Sequence, residues 1–409
     1  MMMKKGEGGR GRIPAFVLGL LCVCGTVPAQ ENGGDPPEPI LVSYERHFTR
    51  ASLDAKAEVL RDAATDEQAR AFIGQLYEFA LAFVLENAGI LGQDPDMISL
   101  AAFAARGCGE AGYTPAAAVL WRVFGVYRDP LVRTEVLKAL GIVGKGDPSV
   151  AERLNEFLSG ETGRYRSRLA VDYLALEAAV AAIGAVGDVS SYSVLFSALV
   201  SGYPDGIARA AEKALAELGG DYRRFLAGII REGPPAEKLA AFNAGIGNER
   251  FGTAEKGEIA ETALDVSLGL AGDSGGRGEI FSLRCAAVNT LASLQWNRAN
   301  ALVIRHFYVT QTDYQRGAVS KERVLEAIAC MGAMGTSEAA QALALQMGYI
   351  NSQMERNGEY DGEITMAMVK TLGEMGDKAA FDNLLHISYL SYPEQIKAAA
   401  REALNRLKW

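Results

Sequence analysis

Residues 178–218 read AAVAAIGAVGDVSSYSVLFSALVSGYPDGIARAAEKALAEL, and residues 367–407 read AMVKTLGEMGDKAAFDNLLHISYLSYPEQIKAAAREALNRL. The two stretches align without a gap at a distance of 189 positions, and they share the pairs Gly184/Gly373, Gly187/Gly376, Asp188/Asp377, Leu195/Leu384, Tyr203/Tyr392, Pro204/Pro393, Ile207/Ile396, Ala214/Ala403, Leu215/Leu404 and Leu218/Leu407. Self-similarity in a unit of about 40 residues is typical of a repeat protein, whose units bury their apolar faces only against their neighbours. This stretch therefore predicts the architecture better than it predicts the function.

Each copy of the repeat predicts a helical hairpin. The apolar residues in the second half of the first copy are spaced by 4, 3, 1 and 3 positions, which places on one helix stripe Ile207, Ala211, Ala214, Leu215 and Leu218. A shorter apolar helix around Leu195 precedes them, across a turn at residues 201–205. Gly187 suits the left-handed residue that ends a helix, and Asp188 suits the cap that begins the next one. Because one helix ends where the next begins, we expect the units to stack tightly.

Residues 1–29 predict an export signal. An apolar run at residues 15–23 follows four basic residues, which are Lys4, Lys5, Arg10 and Arg12. The run is too short to span a bilayer, and small Ala29 stands at the expected cleavage site, so we predict a mature chain without a transmembrane span, in the periplasm or outside the cell. Cys22 and Cys24 leave lipidation as an alternative.

The mature chain divides into a leader and one repeat domain. Residues 30–40 are rich in Gly and Pro and predict a flexible leader, whereas the helical period continues through residues 41–409. The predicted segments, about nine hairpins that form an all-α solenoid, end near Gly112, Gly144, Gly187, Gly219, Gly247, Gln295, Gly335 and Gly376, with a last helix up to Trp409. Helix starts are indicated by four prolines that follow Asp or Thr, namely Pro95, Pro115, Pro130 and Pro148.

The net charge argues against nucleic acid as a partner. The formal charge of the whole chain is −9, and loss of residues 1–29, which carry four basic residues and Glu7, would change it to −12. A chain this acidic repels a phosphate backbone unless its basic residues cluster strongly, and the sequence has no such cluster.

Residues 132–144 (VRTEVLKALGIVG) and residues 208–219 (ARAAEKALAELG) resemble HEAT repeats of the short, bilin-lyase-type variety, whose signature is VRxxAxxALGxLGD. The resemblance covers about residues 95–409 and continues around Arg284 and Arg323. It implies an α-solenoid scaffold that binds other proteins along its surface. Residues 236–247 depart most from the pattern, after Pro234 and Pro235, so we expect bent or loose pairing there. HEAT-like repeats also occur in enzymes and DNA-repair proteins, so the resemblance does not define a function.

Two short motifs resemble functional sites, and in both cases the sequence context favours a plain turn. Residues 272–276 (GDSGG) match the nucleophile motif of chymotrypsin-like proteases, but that chemistry needs a histidine beside Ser274 and a β-barrel to deliver it. Residues 357–362 (NGEYDG) resemble the start of an EF-hand loop, but the position of the bidentate glutamate is occupied by Met368. We therefore predict polar turns between helices at both places.

The sequence predicts no catalytic, cofactor or metal site. The three histidines, His47, His306 and His386, have no second ligand at metal-binding spacing. The mature chain keeps three cysteines in Ala-rich helices, and we favour buried thiols over one disulfide plus a free thiol: Cys108, Cys285 and Cys330.

Tyrosines recur at the turn between the two helices of a hairpin: Tyr127, Tyr165, Tyr203, Tyr314, Tyr360 and Tyr392. Equivalent turns of a solenoid lie along one edge, so with the loops at residues 312–320 and 355–363 these tyrosines would form a rim that contacts a protein or a glycan. The alternative is that each tyrosine packs its turn against the hairpin.

We therefore predict an exported, non-enzymatic scaffold or adaptor that binds a protein partner in the cell envelope. One alternative is an exported enzyme, either a hydrolase that uses Ser274 or a lyase like the bilin-lyase relatives. Another is a structural envelope component whose units stack between molecules. The last helix carries many charged residues, such as Arg401 and Arg406, and this polar cap predicts a monomer.

Overall fold

The computed structural model describes residues 39–218, 222–270 and 277–408, and within these ranges the chain forms twenty α-helices and no β-strand. The helices are α1 (Ile40–Arg50), α2 (Leu53–Thr65), α3 (Ile73–Leu91), α4 (Pro95–Glu110), α5 (Ala117–Val126), α6 (Pro130–Val143), α7 (Pro148–Arg166), α8 (Tyr173–Val186), α9 (Tyr192–Leu199), α10 (Asp205–Leu218), α11 (Arg223–Glu232), α12 (Pro235–Gly247), α13 (Thr253–Gly269), α14 (Arg277–Ser293), α15 (Asn300–Gln315), α16 (Lys321–Met334), α17 (Ser337–Asn357), α18 (Gly362–Met375), α19 (Phe381–Ile387) and α20 (Glu394–Asn405). The predicted all-α class is confirmed. The predicted signal at residues 1–29, nearly all of the leader, and the motif at Ser274 lie outside the described residues.

The helices follow one another as ten consecutive pairs in the described ranges, one more than the nine or so hairpins predicted. Seven of the residues that were predicted to end a hairpin lie at or just beyond the ends of α4, α6, α8, α12, α14, α16 and α18, and the eighth, Gly219, lies outside the described residues. The additional pair is α1 with α2. It lacks the usual signal, because α2 ends at Thr65 and is followed by Asp66 in place of a glycine.

Aspartate and proline begin several helices as the sequence predicts. Asp94 precedes Pro95, the first residue of α4, and its Oδ1 accepts a hydrogen bond of 2.9 Å from the N–H of Asp96. Pro130 and Pro148 begin α6 and α7 in the same way, each after an aspartate cap. Proline fits here because the first residue of a helix has no intrahelical partner for its N–H. Pro115 differs, because it lies in a short 3₁₀ turn just before α5.

The two helices of each pair pack against each other, and most helices also pack against the next but one. The even-numbered helices α2, α4, α6, α8 and α10 contact their neighbours in that order, and so do α12, α14, α16, α18 and α20. The odd-numbered helices form a second series, from α1 through α3 to α5 and from α7 to α19. Between α5 and α7 the contact is aromatic, since the rings of Phe124 and Phe157 lie 5.1 Å apart, edge to face, and Arg153 lies over Trp121.

A pair of glycines three positions apart recurs at the ends of α4, α6, α8, α16 and α18, and the two glycines have different roles. The first allows close contact with the next even-numbered helix. A Cβ added at Gly141 would lie 2.8 Å from the Cα of Ala182, and one at Gly373 would lie 2.8 Å from the Cα of Ala403. The second glycine ends the helix, as Gly187 does with a φ of 76° that an L-residue rarely adopts. The glycines of the repeat therefore set both the spacing and the length of the even-numbered helices.

The even-numbered series is interrupted between α10 and α12, which make at most marginal contact within the described residues. Polar contacts connect this region instead. The Nζ of Lys238 donates hydrogen bonds to the carbonyls of Ile230 and Arg231 at the end of α11, and burial lowers the pKa of this lysine. Glu237 forms an ion pair with Arg166 of α7 and accepts a hydrogen bond of 2.9 Å from Ser197 of α9. The unit that departs most from the repeat is therefore held by charged and polar side chains.

The apolar side chains between neighbouring helices form one continuous core, which extends from Phe48 in α1 to Leu407 just after α20. The apolar faces of the helices are therefore mostly buried against neighbouring helices of the same chain. In the described ranges, none of the helices combines the length and the apolarity that crossing a membrane requires.

Candidate functional site

All six predicted tyrosines lie at the connection between an odd-numbered helix and the even-numbered helix that follows it. Three of them are buried, and each reaches back to the odd-numbered helix of the preceding hairpin. The hydroxyl of Tyr203 lies 3.2 Å from Thr162 Oγ1, and that of Tyr392 lies 3.2 Å from Asn351 Oδ1. The hydroxyl of Tyr127 lies 3.5 Å from the carbonyl of Val84. These three tyrosines join consecutive hairpins.

The other three tyrosines are half-buried and reach forward to the following hairpin. The ring of Tyr165 stacks on that of Tyr203 with 4.2 Å between centroids, and its hydroxyl donates a hydrogen bond of 2.8 Å to the carbonyl of Gly202. Tyr360 packs edge to face on Tyr392, and Tyr314 lies 3.4 Å from Asp361 through its hydroxyl. Burial of the ring raises the pKa of Tyr392 to about 12. Most of the surface of these tyrosine rings is therefore in contact with a neighbouring hairpin. Partner binding by these six residues stays a prediction.

The helix connections and the helix ends beside them also expose large apolar side chains. Fifteen large apolar side chains are exposed among the described residues, and five of them belong to two consecutive connections, α5–α6 and α7–α8. They are 48–62% exposed, and we call them the turn-edge patch: Val126, Leu131, Leu169, Tyr173 and Leu174. Single exposed apolar residues are ordinary, whereas a concentration of them indicates an interaction site.

Direct packing brings these two connections together. Leu131 and Leu174 are each the second residue of α6 and α8, which are neighbours in the even-numbered series. Arg133 of α6 lies over the ring of Phe157 of α7, 5.3 Å from its centroid. Within the α7–α8 connection itself, the ring of Tyr165 at the end of α7 contacts the ring of Tyr173 at the start of α8, with 6.4 Å between centroids.

Arginines surround the turn-edge patch. Within the described residues Arg128, Arg133 and Arg168 have no carboxylate at ion-pair distance, whereas Arg164 pairs with Glu161 at 3.5 Å. Burial lowers the pKa of Arg133, and the positive charge of Arg128 acts in the same direction, whereas the negative charges of Asp172 and Glu161 act in the opposite direction. The patch therefore combines apolar surface with unpaired positive charge.

Arg168 also has an unusual backbone. Its φ is 59°, in the left-handed region where a side chain is strained and glycine is favoured. Its N–H donates to the carbonyl of Tyr165 at 2.9 Å, and the N–H of Leu169 donates to the carbonyl of Arg164 at 3.0 Å. This is the pattern that closes a helix end, with arginine in the place usually taken by glycine. Strained residues of this kind concentrate at functional sites.

Sequence reasoning missed the turn-edge patch. It directed attention to the connections between helices but selected the tyrosines there, because tyrosine is common at binding surfaces. Leu169 and Leu174 were not singled out, because an apolar residue near a helix start is usually buried. The sequence did contain one signal for an exposed charged site, which is the arginines at positions 164, 166 and 168. Arginines at every second position across a helix end point in different directions, so at least one of them is exposed.

Apart from the turn-edge patch, the surface has an open groove of about 840 Å³, which lies where α16, α18 and α20 begin. It is lined by Tyr360, Lys321 and Asp361 among others. Lys321 pairs with Asp361 at 2.9 Å and with Glu363 at 3.1 Å, so the charges of this groove are largely matched within the chain.

The residues that resembled a calcium loop form the turn between α17 and α18. Gly358 closes α17 with a φ of 70°, and Asp361 caps α18 by accepting from the N–H of Glu363 at 3.0 Å. The predicted polar turn at residues 357–362 is therefore present, and the Asp361 carboxylate is occupied by its cap and by Lys321. No cluster of three metal-ligating side chains occurs in the described ranges.

The histidines lie on three different hairpins, in α1, α15 and α19. His306 is buried, and burial lowers its pKa to about 3, so its ring is neutral at ordinary pH.

The cysteines are free thiols within the described residues. Cys108 and Cys330 are buried, and Cys285 is half-buried. Burial raises the pKa of Cys108 and Cys330 to about 12, which makes both poor nucleophiles.

Comparison with models of known protein families gives no match, and comparison with curated proteins gives none either.

Proposed function

We propose that this protein is an exported, non-enzymatic α-solenoid scaffold that binds a protein partner in the cell envelope. The observation that carries the proposal is the packing of each helix against the next but one through nearly the whole described chain. Such packing builds long side surfaces instead of a central pocket, and long surfaces suit the binding of another macromolecule. The exposed turn-edge patch supports a partner, because exposed apolar side chains concentrated in one place indicate an interaction site.

The solenoid part of the proposal has a direct test in solution scattering. A compact globule of the predicted mature length, about 380 residues, has a radius of gyration of about 21 Å. A stack of ten hairpins should give a clearly larger radius and a scattering profile of an elongated particle. A radius near the compact value would contradict the solenoid.

The export part rests on residues 1–29 and is tested by sequencing the N-terminus of the protein isolated from its native envelope. We expect the mature chain to begin at Gln30. A chain that starts at Met1 and stays in the cytoplasm would contradict export.

The scaffold part is tested by cross-linking in the native envelope, affinity purification and mass spectrometry. We expect one or a few proteins to be enriched in stoichiometric amount over a control without the protein. The triple variant Tyr165→Ala, Tyr314→Ala and Tyr360→Ala separates the two roles of these residues. Loss of the partner at unchanged melting temperature would assign them to binding, whereas a lower melting temperature with an unchanged set of partners would assign them to packing.

A further inference from the structure

We infer that the turn-edge patch, together with Arg128 and Arg168, binds an acidic peptide segment that carries large apolar side chains, contributed by the protein partner. The inference rests on the proposed scaffold function and names the chemistry of the partner.

The apolar part of the partner follows from the exposure of the patch. Leu174 is 62% exposed and Leu169 is 54% exposed, although both lie beside well-packed helices. Burying such side chains against a leucine or phenylalanine of a partner removes apolar surface from water, which is the main favourable term in association. A purely charged partner would leave these side chains without a counterpart.

The acidic part follows from the charges around the patch. The carboxylates nearest in sequence, Asp129 and Asp172, cap helices α6 and α8: Asp129 Oδ1 accepts from the N–H of Leu131 at 2.9 Å and Asp172 Oδ1 accepts from that of Leu174 at 3.1 Å, and neither carboxylate pairs with Arg128 or Arg168. The exposed guanidinium groups of Arg128 and Arg168 have no carboxylate partner within the described chain. Arginine binds carboxylates through two parallel hydrogen bonds, so Asp and Glu side chains of a partner fit both positions.

The site is held in place before any partner arrives. Tyr165, three residues before Arg168, is fixed by its stacking on Tyr203 and its hydrogen bond to Gly202. Arg166 is fixed by an ion pair with Glu237. A surface that is ordered in advance loses less conformational entropy on binding, which raises the affinity for a given area.

The overall charge favours a peptide over a membrane or a nucleic acid. A chain of net charge −9 is repelled by anionic lipid headgroups and by a phosphate backbone, both of which extend over many contacts. A short acidic segment makes few contacts and meets the exposed positive charges of Arg128 and Arg168, beside the helix caps Asp129 and Asp172. It therefore gains their attraction without facing most of the repulsion.

Fluorescence anisotropy with defined probes tests the inference. The probes are a labelled peptide in which Glu or Asp alternates with Leu or Phe, its counterpart with Lys in place of the acids, and an acidic peptide with Ser in place of the apolar residues. Vesicles of phosphatidylglycerol are the fourth probe, measured by co-sedimentation. We expect wild-type protein to bind the acidic, apolar peptide at least about tenfold more tightly than either peptide counterpart and to leave the vesicles unbound.

Matched variants locate the binding. The double variant Arg128→Glu and Arg168→Glu should weaken binding of this peptide by at least about tenfold, and Leu169→Ser with Leu174→Ser by a similar factor. The first control reverses the charge of two exposed arginines, one in α15 and one just after it, in the variant Arg305→Glu and Arg316→Glu. The second control replaces the exposed Leu345 of α17 by serine. We expect both controls to bind as the wild type does.

The inference is overturned if the lysine peptide or the vesicles bind in preference, if no acidic peptide binds, or if the control variants weaken binding as much as the patch variants. Its failure is distinct from that of the scaffold function. A partner captured equally by wild type and by the patch variants leaves the scaffold function standing and places the partner elsewhere on the surface.

Discussion

Replacing Arg168 with glycine should make the protein more stable and its partner binding weaker, a combination that a purely structural residue would not produce. Arg168 holds a φ of 59° at the end of α7. For a residue with a side chain the left-handed conformation costs about 1–2 kcal/mol, and glycine avoids this cost but has a more flexible unfolded state. The net gain expected for Arg168→Gly is therefore about 0.5–1 kcal/mol.

Hydrogen exchange in the native protein is a suitable assay, because a chain of stacked hairpins need not unfold in a single step. The amide protons that report on the helix end belong to Ser167, Arg168 and Leu169, which donate to carbonyls at 2.9–3.1 Å. In the glycine variant the amides of Ser167 and Leu169 should exchange about two- to fivefold more slowly. Arg168→Ala separates charge from backbone, since it keeps the strain and removes the guanidinium. It should bind the acidic peptide as weakly as the glycine variant does, without its gain in stability.

Gln295 offers a matched control, because its φ is 50° and it follows α14, far along the chain from the patch. Gln295→Gly should slow exchange at the end of α14 and leave peptide binding unchanged. Faster exchange in Arg168→Gly, or a gain in stability at position 295 but not at position 168, would refute the reasoning about the strained helix end.

Other parts of the fold give three further predictions. Gly141→Ala should destabilise the protein by about 1–2 kcal/mol, because its Cβ would lie 2.8 Å from Ala182 Cα. Gly160→Ala in α7, with open space around it, should instead stabilise the protein by up to about 1 kcal/mol. Equal midpoints of the two variants in urea denaturation would contradict the close contact at Gly141. Burial raises the pKa of Tyr192 to about 12 from 10.0, so the neutral ring stabilises the fold below pH 10 and this contribution is lost as pH rises toward 12. Tyr192→Phe, which cannot ionise, should raise the midpoint of alkaline unfolding followed by circular dichroism, and the exposed Tyr389→Phe should not. A thiol titration of the denatured, unreduced mature protein should find three free thiols, and a count of one would show a disulfide among Cys108, Cys285 and Cys330.

The sequence predicted the helical class and most helix ends because those features depend on local chemistry. A glycine such as Gly187 or Gly376 ends a helix through its own backbone freedom, and an aspartate such as Asp129 begins one through its own side chain. The pair α1–α2 was missed because its connection to the next hairpin uses Asp66 and a 3₁₀ turn instead of these residues.

The exposed patch was harder to predict, because exposure depends on what the neighbouring hairpins cover. Tyr203 and Leu174 both lie near helix starts, and nothing local distinguishes the buried ring from the exposed leucine. The ring of Tyr203 is buried because the preceding hairpin supplies Thr162 and Tyr165 as contacts. Leu174 is exposed because no neighbouring side chain covers it. Positions of this kind are decided by tertiary packing, which a single sequence does not specify.

The tyrosines that reach back by about 40 residues have a mechanical consequence. Each one fastens a hairpin to its predecessor, so three of the joints along the described chain have separate fasteners of similar construction. Under tension applied at the two ends, the protein should yield one hairpin at a time, starting from an end or from the polar region between α10 and α12. Each released hairpin would lengthen the tether by up to about 14 nm, which is the span of about 40 extended residues.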